Sequence, residues 1–188
     1  LAEALGIALP GNGTVPAVFS ERIRLAKRAG MKVMELLEQG VTALDIVDSR
    51  AIRNGMALDM AFGGSTNTML HLTAIAQAAG CPVTMEEWDE VSAATPNIVR
   101  IAPAGPRHIE DLDAVGGVSA IVGELGRTGH LDLTARTCHG MVAEWVEECP
   151  EPDGDIVRTV GDAYSPDGGL KVLRGSLAPD CGVVKKSA

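Results

Sequence analysis

A helix-rich α/β fold is predicted for this chain by three observations. Apolar residues recur at helical spacing over 20–38, 49–61 and 69–79, and each run gives way to a glycine, Gly40, Gly63 or Gly80. Beyond Cys149 the texture changes: 150–155 (PEPDGD) is loop chemistry, and 156–160, 170–173 and 182–184 are short β-type runs separated by Pro, Gly and Asp. Hydrophobic residues make up 46% of the 188 but aromatics only 3%, so the core is built from Ala, Val, Leu, Ile and Met, which suits close helix packing.

The chain opens on LAEALG, a helical pattern with no lead-in, and it ends directly after an apolar run, as expected of a piece of a longer protein. Residues 9–16 (LPGNGTVP) form a loop that matches neither the dinucleotide nor the P-loop fingerprint. The helix over 20–38 carries Arg22, Arg24, Lys27, Arg28 and Lys32 between Ile23, Leu25, Ala26 and Val33, which reads as the solvated face of an amphipathic helix. A second helix covers 49–61, and a third follows Ser65, Thr66 and Asn67 as far as Gly80. Residues 81–83 read as a short extended segment, and Thr84-x-x-Glu87 is a capping box opening a helix to about residue 93. Pro96 ends that helix, 97–102 (NIVRIA) reads as a short buried strand, and 103–117 is a loop holding a short helix. An amphipathic run over 118–125, a turn at Gly129 and a helix near 137–147 complete the first unit. Residues 156–188 are read as the start of a second, β-rich domain, with no internal repeat that would indicate a solenoid.

Charge and composition exclude several classes of function. A net charge of −9 and a pI near 4.9 argue against a nucleic-acid groove or an anionic membrane surface, both of which need clustered Lys and Arg. No run of 18 or more apolar residues occurs and no signal segment opens the chain, so a cytoplasmic protein is expected. Cys81, Cys138, Cys149 and Cys181 form no C-x-x-C pair and no zinc pattern with His71, His108, His130 or His139, so no self-contained metal site is expected.

Chemistry concentrates at 57–72, ALDMAFGGSTNTMLHL. Gly63 and Gly64 allow a sharp turn, and Ser65, Thr66 and Asn67 follow at the start of a helix. Two readings stand side by side. Ser65, Thr66 or Asn67 caps the helix through its side-chain oxygen, or the unpaired N–H groups and hydroxyls cradle a carboxylate or phosphate. His71, one turn further on, reads as a packing histidine, and His108, beside Arg107, as a supporting or interface residue.

Four segments in order, 9–17 (LPGNGTVPA), 57–72, 103–117 (PAGPRHIEDLDAVGG) and 164–185 (YSPDGGLKVLRGSLAPDCGVVK), closely resemble the dihydroxy-acid dehydratase family, which includes 6-phosphogluconate and sugar-acid dehydratases. The resemblance runs over essentially the whole chain and is nearer the branched-chain biosynthetic branch than the phosphogluconate one. It implies the later part of a Rossmann-like α/β/α domain (residues 1–155) followed by the first strands of a β-barrel domain (156–188).

The implied reaction takes water from a 2,3-dihydroxy acid to give a 2-keto acid, with an iron–sulfur cluster ([2Fe–2S] or [4Fe–4S]) and Mg2+ in the full-length parent. It also implies a cytoplasmic homodimer acting on a small-molecule substrate. The family's cluster cysteines, Mg2+ ligands and catalytic serine fall outside this stretch, so no catalytic or metal residue is assigned here. What carries over is a loop near the cluster, Gly11, Asn12, Gly13 and Thr14, and a substrate-side group, Ser65, Thr66 and Asn67. The alternatives are a sugar-acid dehydratase of the same family and a non-catalytic carboxylate-binding module on the same scaffold.

Overall fold

The computed structural model describes residues 1–186; Ser187 and Ala188, the end of the predicted β-rich stretch, lie outside the described residues. Residues 1–6 make one turn rather than the predicted helix: Leu5 N–H donates to the Leu1 carbonyl (2.9 Å), and the chain then leaves helical geometry at Gly6. Glu3, only 2% exposed, is the reason the next segment has a fixed shape, because its carboxylate accepts the N–H groups of Gly11 (2.9 Å) and Gly13 (2.5 Å).

Helix α1 (Ser20–Glu38) matches the prediction and closes with the hydrogen-bond pair of a Schellman motif, Gly40 N–H to Leu37 O and Val41 N–H to Leu36 O. Arg24 and Arg28 pair with Glu21, and Lys32 pairs with Glu35, all on the surface. The interleaved apolar residues differ from expectation. Only Leu25 is buried, whereas Ile23 and Val33 are 76% and 62% exposed, because among the described residues nothing covers the face of α1 that carries them.

Helix α2 (Ser49–Phe62) is the central element. Apart from Arg53, all its residues from Ala51 to Ala61 are buried, which is why its sequence is apolar on every side. Of its two buried polar residues, Asn54 and Asp59, Asn54 is satisfied by exchanging hydrogen bonds with the backbone of Asp132 (2.9 and 2.8 Å). Helices α3 (Thr66–Ala78) and α4 (Met85–Ala94) pack on one side of α2. There Ile52, Met56 and Met60 meet Leu72, Trp88 and Leu170 in one core. On the other side Leu58 and Ala61 join a second core with Ile98 and Val99, to which α5 (Ile109–Ala114) adds Leu112 and α6 (Gly117–Arg127) adds Ile121 and Leu125. Each such fully buried side chain contributes about 1.5–3 kcal/mol.

The predicted capping box is present at Thr84 and Glu87. Residues 81–83 form no strand. Residues 97–102 are extended and buried at Asn97, Ile98 and Val99 but make isolated bridges to Ser165, Val157 and Arg107 instead of a ladder. The cause is local: the N–H groups of Ile98 and Val99 and the Asn97 amide all donate to the Ala61 carbonyl, tying this segment to the end of α2.

The helix predicted near 137–147 starts later than expected. A hairpin of β1 (Arg136–Thr137) and β2 (Gly140–Met141), closed by the Thr137 hydroxyl on Gly140 O (2.9 Å), precedes α7 (Val142–Glu148). Residues 156–160 give one bridge, Val157 to Val99, and then a 3-10 turn over Val160–Asp162 rather than a strand.

Strands β3 (Leu170–Gly175) and β4 (Ala178–Lys185) pair antiparallel over the predicted β-type runs. Leu170 packs in the α2–α3–α4 core, and its carbonyl accepts the buried Ser92 hydroxyl (2.6 Å). The architecture is thus mixed helix and small antiparallel sheets, compatible with α/β; among the described residues no closed barrel forms. No helix among them is long and apolar enough to cross a membrane.

Candidate functional site

The site is built at the C-terminal end of α2. Gly63 takes φ 67°, the left-handed conformation that closes a helix and that residues with a Cβ rarely adopt. Gly64 follows where no side chain fits, since a Cβ there would stand 1.8 Å from Asp59 Oδ1. Gly64 N–H donates to the Asp59 carbonyl (2.9 Å) and Ser65 N–H to Asp59 Oδ1 (3.4 Å), so the turn is wrapped around this aspartate. Ser65 then caps α3, its hydroxyl oxygen accepting the Asn67 N–H (3.2 Å).

A cavity of about 320 Å³ opens beside this turn. Asp59, Ser65, Thr68, Thr14 and Lys185 supply its polar side chains, and Leu58, Phe62, Ile101, Ile109 and Val118 its main apolar wall. The structure therefore brings Ser65 together with Gly13 and Thr14 of the 9–16 loop. Thr66 and Asn67 are exposed and lie outside the lining, as do Gly11 and Asn12. The loop is held by its neighbours: Thr14 donates to Asp113 of α5 (2.7 Å), and the Asn12 carbonyl accepts from Arg22 of α1 (2.8 Å). Its glycine N–H groups are used by Glu3, which removes them as phosphate donors.

Asp59, Thr68 and Lys185 were not singled out by the sequence reading. A lone aspartate inside an apolar helix, followed by two glycines, is the signal that points to the first. Asp59 is 7% exposed, and burial pushes its carboxyl up to about 6, against contacts from the Thr68 side chain, the Ser65 N–H and the Lys185 charge that pull it back. His71 is exposed rather than packed, and His108 opens α5 with its N–H on Asp111 (2.7 Å).

A larger cavity, about 440 Å³, lies on another face of α2 and includes none of the predicted site residues. The Arg50 guanidinium in its lining is committed to Asp48 and Thr134, so the smaller cavity is the better candidate.

Residues 1–145 match the sequence model of the family described as dihydroxy-acid/6-phosphogluconate dehydratase N-terminal. The chain belongs to this family. It is 51% identical over its whole length to a dihydroxy-acid dehydratase of Lachnoclostridium phytofermentans and 51% identical to one of Nitratidesulfovibrio vulgaris. A dihydroxy-acid dehydratase of Caldanaerobacter subterraneus is 50% identical over the same span. The chain spans about a third (34%) of the length of these curated relatives.

The family implies an iron–sulfur cluster and Mg2+, and the residues present fit neither. Among the described residues no three His, Cys, Asp or Glu side chains converge. Burial raises the Cys138 thiol above its ordinary value and pushes Cys149 up to about 11, and neither belongs to a converging group of three metal-binding side chains among the described residues.

Proposed function

We propose that the full-length enzyme containing this chain is a hydro-lyase that dehydrates 2,3-dihydroxy carboxylic acids to 2-keto acids in branched-chain amino acid biosynthesis. The observation that carries this reading is identity of about half over the whole chain to dihydroxy-acid dehydratases. The cavity supports the same substrate class. Its leucine, isoleucine, valine and phenylalanine lining suits a short branched aliphatic tail, while the further hydroxyls or phosphate of a sugar acid would meet no partner on that wall.

In this reading residues 1–155 are the later part of a Rossmann-like α/β/α domain, and the β3–β4 hairpin begins a β-barrel completed by other parts of the protein. The [2Fe–2S] or [4Fe–4S] cluster and Mg2+ are likewise held by residues elsewhere in the enzyme, which works in the cytoplasm as a homodimer. The residues here bind and orient. The apolar wall excludes water, Lys185 attracts the substrate carboxylate, and Ser65 contacts the substrate, with Gly11, Asn12, Gly13 and Thr14 shaping the approach to the cluster. Thr66 and Asn67 contact substrate at the rim, where the rest of the enzyme covers them.

Thr66→Val and Asn67→Leu in the full-length enzyme are expected to lower kcat/KM about tenfold with little change in unfolding temperature, a loss of about 1.4 kcal/mol of transition-state binding. Unchanged kinetics would leave helix capping as the whole role of this segment. Assays on 2,3-dihydroxyisovalerate and on aldonic acids test the reaction itself. Turnover of the branched acid is expected; turnover of sugar acids alone would move the enzyme to the other branch of its family, and no turnover of either would favour a binding module.

A further inference from the structure

Asp59 is held so that only one of its two oxygens is satisfied. Oδ1 accepts the Ser65 N–H and lies under Gly64, where the absence of a Cβ leaves it room. Oδ2 is shielded from solvent and has no hydrogen-bond partner among the described residues. The nearby hydroxyls do not relieve it. Ser65 Oγ receives the Asn67 N–H, the Thr14 hydroxyl donates to Asp113, and the Thr68 side chain, which pulls the Asp59 carboxyl down, leaves Oδ2 without a hydrogen bond. A buried acceptor left unpaired costs about 1–3 kcal/mol, more when charged, and such a cost persists where a bound ligand supplies the missing donor.

The surroundings restrict which donor that is. Asp59 lines the 320 Å³ cavity together with Lys185, so a cationic group would be repelled by the lysine, while the substrate carboxylate, drawn to the lysine, has no proton to donate to Oδ2. Asp59 also already occupies the N-terminal end of α3, where a ligand carboxylate would otherwise be drawn. A neutral hydroxyl is the group that fits. We propose that Asp59 is a substrate-binding residue whose Oδ2 accepts a hydrogen bond from one hydroxyl of a dihydroxy acid seated in this cavity. The assignment rests on the dehydratase reading above and adds the residue by which this chain recognises a hydroxylated substrate. With a carboxyl titrating near 6, the group is mainly an ionised acceptor at neutral pH.

The test uses the full-length enzyme and three probes: 2,3-dihydroxyisovalerate as substrate, with 2-hydroxyisovalerate and 3-hydroxyisovalerate, each lacking one hydroxyl, as competitive inhibitors. Asp59→Asn keeps an oxygen under Gly64 and replaces the Oδ2 acceptor by a donor. Asp59→Ser keeps a single oxygen for the turn and withdraws the second, and it carries the comparison should the first variant fail to fold. In either variant KM for the dihydroxy acid is expected to rise at least tenfold. The inhibitor lacking the hydroxyl that Asp59 reads should keep its inhibition constant within twofold, while the other weakens in step with KM. If all three constants move together, or none moves, Asp59 has a structural role and the proposal is overturned. A wild-type enzyme that ignores dihydroxy acids removes the dehydratase reading before any variant is made. A wild-type enzyme that turns them over, with probe ratios unchanged in the variants, removes only the role of Asp59.

Discussion

Asp59 and Glu3 are the two buried carboxylates that shape this region, and they behave differently because their hydrogen bonding differs. Glu3 is satisfied by two backbone donors, Gly11 and Gly13, although burial still raises its carboxyl above the ordinary value. Glu3→Ala removes the buried carboxylate that fixes the half-buried Gly11 and exposed Gly13 N–H groups and is expected to cost about 1–3 kcal/mol, read as a lowered unfolding temperature, with Glu3→Gln losing less. Asp59, with its carboxyl pushed up to about 6, makes stability depend on pH. The native protein holds this proton more tightly than the unfolded chain does, so the associated stability is intact below about pH 4 and is lost as pH rises through about 6. Asp59→Asn removes that loss. Its unfolding temperature relative to wild type is expected to be nearly unchanged at pH 4 and to gain steadily toward pH 7, equivalent to at most about 3 kcal/mol. A constant difference across that range would contradict the assignment.

The element that matters most is the α2–turn–α3 unit, and its parts were legible in the sequence to different degrees. Glycines at 40, 63 and 80 mark the helix ends because closing an α-helix needs geometry in which glycine is at ease, and the Thr84–Glu87 box marks a start because two side chains meet two orphan donors. Such signals are local and survive in the sequence. The β-type runs at 97–102 and 156–160 were misread as strands, since buried extended segments can be satisfied by a helix end as well as by a ladder. The apolar pattern of α1 was likewise blind to whether anything covers it. Of the cavity lining, Ser65, Gly13 and Thr14 are named from the sequence, while Thr66, Asn67, Gly11 and Asn12 lie outside it. Asp59, Thr68 and Lys185 come from three separate elements whose meeting depends on packing. Gly64→Ala probes the unit directly: its Cβ would stand 1.8 Å from Asp59 Oδ1, so the variant is expected to lose several kcal/mol of stability, whereas alanine at Gly30, with open space around it, should stabilise α1 slightly.

At the scale of the whole molecule, α2 carries both cores and ends at the cavity, so the helix that stabilises the domain also positions the turn that lines it. The family is shown by residues 1–145 and by relatives identical at about half of positions, of which this chain covers about a third. In the function proposed above, the metals are held elsewhere in the enzyme and this part supplies the cavity and its polarity. The most direct measurement is therefore the ratio of kcat/KM for 2,3-dihydroxyisovalerate to that for an aldonic acid or 6-phosphogluconate, taken on the purified full-length enzyme by following 2-keto acid formation. A ratio well above one is the expected result, and a ratio well below one, or no keto acid from either, would contradict the account.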